Sequence, residues 1–198
     1  MSDHDHDSDS PAQRAEALES LLAEKGLLDP GVVDGIVERY ERDIGPMRGA
    51  QIVARAWTDP DYRRRLLTDG TGAVGEMGFE GAQMERLEVK ENAPGVHNVV
   101  VCTLCSCYPW AVLGLPPTWY KEPAYRSRIV REPRRVLTEM GLVLDDEVEI
   151  KVWDSSAEIR YMVLPERPNG TEGASEEELA AMVGRDAMIG VAKVSAPA

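Results

Sequence analysis

Apolar residues recur at helical spacing in four successive stretches at the start of the chain. Ala15, Leu18, Leu21 and Leu22 form the first stripe, opened by Ser10 as N-cap and Pro11 at the first helical position and stopped at Gly26. Val33, Ile36, Val37 and Tyr40 form the second, which opens at Asp29-Pro30 and ends near Gly45-Pro46. Ile52, Val53, Ala56 and Trp57 mark a third, and Asp59-Pro60 opens a fourth that carries Tyr62, Leu66 and Leu67. Such stripes ordinarily face an intramolecular core. Two of them this close to the N-terminus suit wrapping around a partner equally well.

The period then changes. Glycine is frequent between Gly70 and Gly81, which predicts a loop with at most a short helix around Ala73–Met77. Leu87 and Val89 alternate with charges, as in a half-buried strand. Asn92-Ala93-Pro94-Gly95 is a turn, and Val96–Val101 reads as a buried strand running straight into Cys102. Gly114 and Pro116-Pro117 enforce a loop, with room for a short helix before them. A helix begins near Glu132-Pro133 and stops at Gly141. Val148, Ile150 and Val152, then Ile159, Tyr161 and Val163, flank Asp154-Ser155-Ser156-Ala157 and predict a hairpin. Ser175 with Glu178 is a capping box for a last helix to about Gly184. The expected fold is α+β: a disordered tail over 1–9, an N-terminal helical arm over 10–58, and a layered α-β-β-α globular domain over 59–198.

Composition narrows the function classes. A net charge of -13 argues against binding a phosphate backbone, and no apolar run approaches the length of a membrane span. The chain starts Met1-Ser2-Asp3-His4-Asp5-His6-Asp7, acidic where a secretory signal is basic, so a cytoplasmic location is expected. His4 and His6 read as part of a solvated tail.

The three cysteines change the picture most, because all lie between Cys102 and Cys107. An odd, crowded set is a poor disulfide framework, and C-x-x-C-x-C points to metal or redox chemistry. Structural zinc wants four protein ligands. The nearest fourth candidate is His97, whose spacing is unusual for zinc and which reads better as a hydrogen-bonding histidine. An iron–sulfur cluster needs a cysteine from another chain. A redox pair of Cys102 and Cys105 lacks the helix that normally follows it. One further geometry is open. In Cys105-Ser106-Cys107 both sulfurs reach one metal only if the backbone folds against it, bringing the peptide nitrogens of Ser106 and Cys107 within coordination distance. Cys102 then adds an axial sulfur, five positions fill, and a sixth stays open, as a catalytic metal requires. Thiolate and amidate donors favour a trivalent, low-spin ion.

At these residues the chain resembles the nitrile hydratase α-subunit family. The likeness runs through Val101-Cys102-Thr103-Leu104-Cys105-Ser106-Cys107-Tyr108-Pro109-Trp110 and on through Val112-Leu113-Gly114-Leu115-Pro116-Pro117, Trp119-Tyr120-Lys121 and Val130-Arg131-Glu132-Pro133-Arg134. It continues in Trp153-Asp154-Ser155-Ser156-Ala157-Glu158-Ile159-Arg160-Tyr161 and Leu164-Pro165-Glu166-Arg167-Pro168-Asn169-Gly170-Thr171, and covers roughly residues 13–191. Thr103 with Tyr108-Pro109 resembles the cobalt class. Ala111 departs from the proline expected at its position.

The resemblance implies an enzyme hydrating nitriles to amides, with one Co(III) per α chain held by Cys102, Cys105, Ser106 and Cys107. Cys105 is expected as a sulfinic acid, Cys107 as a sulfenic acid and Cys102 as a thiolate. The Cys107 oxygen attacks the nitrile carbon or serves as base for water. The family pairs with a β subunit, as αβ or α2β2, that supplies two arginines to the oxidised cysteines, and a cobalt-delivery protein is expected. Gln83 and Arg160 resemble family residues that support the site, against the plainer readings of a loop glutamine and a surface strand arginine. Tyr108 and Trp110 are candidates to line the substrate pocket, or simply to pack beside it; Ser106 is a candidate to hydrogen-bond within the claw. A thiocyanate hydrolase metal subunit has the same claw, with Trp110 favouring the nitrile enzyme. A zinc-binding interaction module and a metal-free redox sensor are the readings from other classes.

Overall fold

The computed structural model describes residues 10–81 and 86–196. The tail with His4 and His6, and Gln83, lie outside the described residues. The chain divides into two compact units, one ending at Arg39 and one beginning at Tyr40. The first holds α1 (Pro11–Glu24) and α2 (Pro30–Arg39). The expected start of α1 is present as a reciprocal capping box: the Gln13 amide donates to Ser10 Oγ at 3.2 Å, and the Ser10 amide donates to Gln13 Oε1 at 2.7 Å. The α2 stripe predicted from Ile36 and Val37 is exposed to solvent, as is Val32.

The second unit opens with a π-helical turn, Tyr40–Ile44, followed by α3 (Met47–Thr58) and α4 (Pro60–Thr68). Asp59 caps α4 by accepting from the amides of Asp61 and Tyr62, both at 2.9 Å. Ile52 and Val53 of α3 are fully buried.

The stretch from Gly70 departs from expectation: it forms a longer helix, α5 (Gly70–Glu76), where a loop with a short helix was predicted. Two forces outweigh the glycine content. Asp69 caps the helix by accepting from the Gly72 amide at 3.0 Å, and Ala73 and Val74 are buried. Gly70 serves close packing rather than flexibility, since a Cβ there would lie 2.5 Å from the Leu87 carbonyl oxygen.

Strand pairing also corrects the reading. β1 (Leu87–Glu91) pairs in parallel with β4 (Arg160–Leu164), and β2 (Val96–Val101) pairs in parallel with β3 (Glu149–Asp154). The predicted hairpin across Asp154–Ala157 is absent, because β3 and β4 belong to different two-stranded sheets. Alternation along each strand is the same whichever neighbour it takes, so the pattern could not distinguish the pairings. The fold is nonetheless the α+β arrangement expected.

Between the sheets' strands lie α6 (Trp110–Leu113), α7 (Thr118–Lys121), α8 (Pro123–Ile129) and α9 (Pro133–Glu139). The loop expected at Pro116-Pro117 is short, and Pro123 opens α8 at a first helical position that the sequence reading passed over. The C-terminal helices α10 (Glu176–Met182) and α11 (Arg185–Ile189) follow, α10 capped by Ser175 with Glu178 as predicted. The core is built from Val99, Val101, Ile129, Leu137, Met162, Val163, Leu164 and Met188. Each such side chain contributes about 1.5–3 kcal/mol on burial.

His97 is buried on β2, as a hydrogen-bonding residue and not a metal ligand. Its Nε2 lies 2.7 Å from the Gly190 carbonyl oxygen and its Nδ1 lies 3.2 Å from Asn92 Nδ2. Asn92 Oδ1 accepts from the Asn98 backbone amide at 2.7 Å, which fixes the Asn92 amide with its nitrogen toward His97. No helix among the described residues is long and apolar enough to cross a membrane.

Candidate metal centre

Strand β2 delivers the cysteines. Its last residues, Val99 to Val101, are buried among the core, so Cys102 leaves the strand fully buried. The chain then turns outward through Leu104, which is 86% exposed, and returns with Cys107 nearly buried. The turn gathers the three sulfurs. Cys102 Sγ lies 3.4 Å from Cys105 Sγ, and Cys105 Sγ lies 3.2 Å from Cys107 Sγ. All three fall within 4.8 Å of one another. They are free thiols, and among the described residues they form the one such group suited to a metal.

The claw backbone is gripped at alternate residues. Asp154, at the end of β3, accepts from the Thr103 amide at 2.9 Å and from the Thr103 hydroxyl at 2.6 Å. Arg126 Nη1 of α8 donates to the Cys105 carbonyl at 2.7 Å. The Tyr120 hydroxyl of α7, fully buried, donates to the Cys107 carbonyl at 3.0 Å. Parallel pairing explains the first contact, since the β2–β3 register sets Val101 opposite Asp154.

The electrostatics follow from position. Contacts to the sulfurs of Cys107 and Cys102, with smaller help from the backbone amides of Ser106 and Cys107 and against partial burial, draw the Cys105 thiol down to about 7. Cys107 moves the other way, up to about 12, through burial first and then through the neighbouring sulfurs, with the Arg160 charge opposing. Cys105 thus yields a thiolate readily and Cys107 resists becoming one. A cation among the sulfurs reverses that resistance.

The set fits a thiophilic metal. Three sulfurs converge, and two backbone amides face the central one. A closed four-ligand zinc site does not fit as well, because His97 is committed to Asn92 and Gly190.

Ser106 is half-buried within the claw. Arg160 is buried at the start of β4, donates to the Ser156 carbonyl, and acts on Cys107 by its charge. Tyr108 is buried with its ring 5.2 Å from that of Tyr120. Trp110 is half-buried, edge-on to Tyr40 at 5.6 Å. Ala111 is fully buried in α6. Three anchors were missed from the sequence: Asp154, Tyr120 and Arg126. Asp154 and Tyr120 lie in segments that resemble the family, whereas nothing local marks Arg126.

A small α+β chain that carries three converging thiols at the end of a parallel strand is of the class that can bind a metal through a cysteine claw. The family described as "Nitrile hydratase, alpha chain" matches residues 9–192, and the chain belongs to that family. It is 57% identical over 186 residues to the low-molecular-weight cobalt-containing nitrile hydratase subunit alpha of Rhodococcus rhodochrous, covering 94% of this chain and 90% of the relative. It is 43% identical over 187 residues to the thiocyanate hydrolase subunit gamma of Thiobacillus thioparus, covering 89% and 76%. Among solved structures, a double mutant of the iron-type nitrile hydratase from Comamonas testosteroni superposes with a TM-score of 0.85 at 44% identity, covering 96% of this chain and 94% of that one.

Proposed function

We propose that this chain is the metal-carrying α subunit of a cobalt nitrile hydratase, which adds water to R–C≡N to give R–CO–NH2. The observation that carries the reading is the meeting of three sulfurs within 4.8 Å on one hexapeptide. Cobalt is favoured over iron by Thr103 with Tyr108-Pro109, and by identity that is higher to the cobalt-containing Rhodococcus chain, at 57%, than to the iron-type structure, at 44%.

One trivalent ion per chain is held by the sulfurs of Cys102, Cys105 and Cys107 and by the backbone nitrogens of Ser106 and Cys107. Cobalt so held supplies Lewis acidity toward the nitrile. With dioxygen as the oxidant, exposure supports the expected oxidation pattern. Cys105 is exposed and its thiol is lowered, which suits sulfinic acid; Cys102 is fully buried and stays a thiolate; Cys107 lies between them and carries the sulfenic oxygen. That oxygen would take a proton from the attacking water, whose oxygen bonds the nitrile carbon as a C≡N π bond opens and the nitrogen takes up the protons to give the amide; or it would bond the carbon itself and be replaced on Cys107 by the oxygen of a water molecule. Arg160 steadies negative charge at Cys107, Ser106 bonds within the claw, and Gln83 and Tyr108 support the site.

A β subunit completes the centre. Leu104 stands exposed at the lip of the claw, and the loaded claw carries more negative than positive charge, so two arginines from the partner meet the oxidised sulfurs. Leu18 and Leu21 of α1, and Val32 and Ile36 of α2, are exposed and offer that partner apolar contacts. The complex is αβ or α2β2, is loaded by a cobalt-delivery protein, and works in the cytoplasm, where free thiols persist.

The test is to co-express the full chain with its β partner, then measure metal content and turnover of several nitriles and of thiocyanate. One cobalt per chain, a thiolate-to-metal absorption band and amide production are expected. Colourless zinc rejects the reading, and turnover of thiocyanate alone moves the chain to the thiocyanate hydrolases, to which it is also related.

A further inference from the structure

Of the three side chains that grip the claw backbone, Arg126 alone brings a positive charge. The carbonyl it holds, that of Cys105, belongs to the peptide whose nitrogen is that of Ser106. That nitrogen is one of the two assigned to the metal. A peptide that binds a metal through nitrogen exchanges its N–H proton, released to solvent, for the metal. Resonance across the planar group spreads the negative charge left behind onto oxygen. A guanidinium already bonded to that oxygen then makes a charge-assisted hydrogen bond.

The fold brings Arg126 there deliberately. Helix α8 is pinned on its inner face by Ile129, fully buried, and by Tyr125, whose hydroxyl donates to the Val100 carbonyl at 2.7 Å. Arg126 follows Tyr125 and is thereby carried to the edge of the claw. Its Nε is buried without a hydrogen-bond partner among the described residues. Arg128, two residues on, is instead engaged by Glu132 at 2.5 Å and Glu139 at 2.7 Å. Arg126 is therefore not one more member of that surface network.

We propose that Arg126 is a positioning residue of the metal centre: it holds the Cys105–Ser106 peptide by its oxygen and supplies the positive charge that offsets the one this peptide acquires with the metal. The inference rests on the proposed metal reading. It concerns a cation within this chain, aimed at the claw backbone rather than at the oxidised sulfurs.

The experiment compares wild type, Arg126→Gln, Arg126→Lys and Arg128→Gln, each as the full chain co-expressed with its β subunit. Cobalt per chain after dialysis against a chelator, the thiolate-to-cobalt absorption band, and thermal unfolding of the complexes with and without metal are measured. Arg126→Gln keeps a hydrogen bond donor but no charge. It is expected to retain cobalt about tenfold less, with a shifted band, while its metal-free melting temperature matches wild type. Arg126→Lys recovers most of the cobalt, and Arg128→Gln retains all of it. Wild-type cobalt and an unshifted band in Arg126→Gln overturn the inference, as does an equal loss of stability with and without metal. Absence of cobalt from the wild-type complex overturns the proposed function as well, so the two failures are distinguishable.

Discussion

Thr103 and Asp154 are joined twice, amide to Oδ1 at 2.9 Å and hydroxyl to Oδ2 at 2.6 Å, although 51 residues separate them. The carboxylate closes over the residue after Cys102 and so sets the direction in which the claw leaves its strand. Replacing Asp154 with Ala leaves the Thr103 donors to water and frees the turn. A loss of about 1–2 kcal/mol in metal-free stability and about a tenfold fall in cobalt content are expected. Denaturant unfolding and metal analysis check this; undiminished cobalt in Asp154→Ala would show that the clamp does not shape the claw.

Each sulfur is expected to be required. Cys102→Ala, Cys105→Ala and Cys107→Ala should each abolish cobalt retention and nitrile hydration together, since removing one donor from so small a set leaves the others too few. Full hydration by any of the three variants would remove that residue from the ligand set.

Gly190 ends α11 at φ 92°, and a Cβ there would sit 2.0 Å from the Asn98 carbonyl oxygen. Gly190→Ala combines left-handed strain with a clash against backbone that has little room to move. Destabilisation of about 3 kcal/mol is expected, read as a shift in the urea midpoint with unchanged slope. A shift below about 1 kcal/mol would show that the two segments separate easily.

His97 imposes a pH dependence. Burial holds its pKa below the ordinary 6.5. With Nε2 donating to Gly190 and Nδ1 accepting from Asn92, the neutral ring fits and the charged ring sets two donors face to face. Above about pH 6.5 both folded and unfolded chains carry it neutral, and it contributes nothing. As pH falls below that value the unfolded chain takes up a proton that the folded chain refuses, so stability declines by up to about 1.4 kcal/mol per pH unit until the folded value is reached. Unfolding at pH 7.5 and pH 5.5 should show the decline in wild type and a flatter response in His97→Gln. Equal slopes would assign the effect to other groups.

Much of the centre was legible because its chemistry is local. Three cysteines in six positions announce a metal or redox site whatever surrounds them, and the caps at Ser10, Asp59 and Ser175 are one-turn events that sequence encodes directly. Pairing is not local. The alternation in β3 and β4 satisfies a hairpin as well as the observed parallel ladders, so the reading that joined them missed the register placing Asp154 beside Val101. Gly70 misled for a related reason: its lack of a side chain serves contact with Leu87, which only the assembled fold reveals. Arg126 was silent because an arginine in a short segment looks like any other until its neighbour Tyr125 is seen anchored to Val100.

That β2 and β3 run in the same direction bears on when the site comes into being. The thiols leave the ribosome well before the acid that clamps them, and the intervening chain must fold back before the turn is fixed. A nascent trithiol of this kind is a pliable chelator open to any soft ion. Discrimination among ions is thus a property of the finished tertiary structure, and transplanting the hexapeptide alone into another protein would carry over its appetite for metal without its choice.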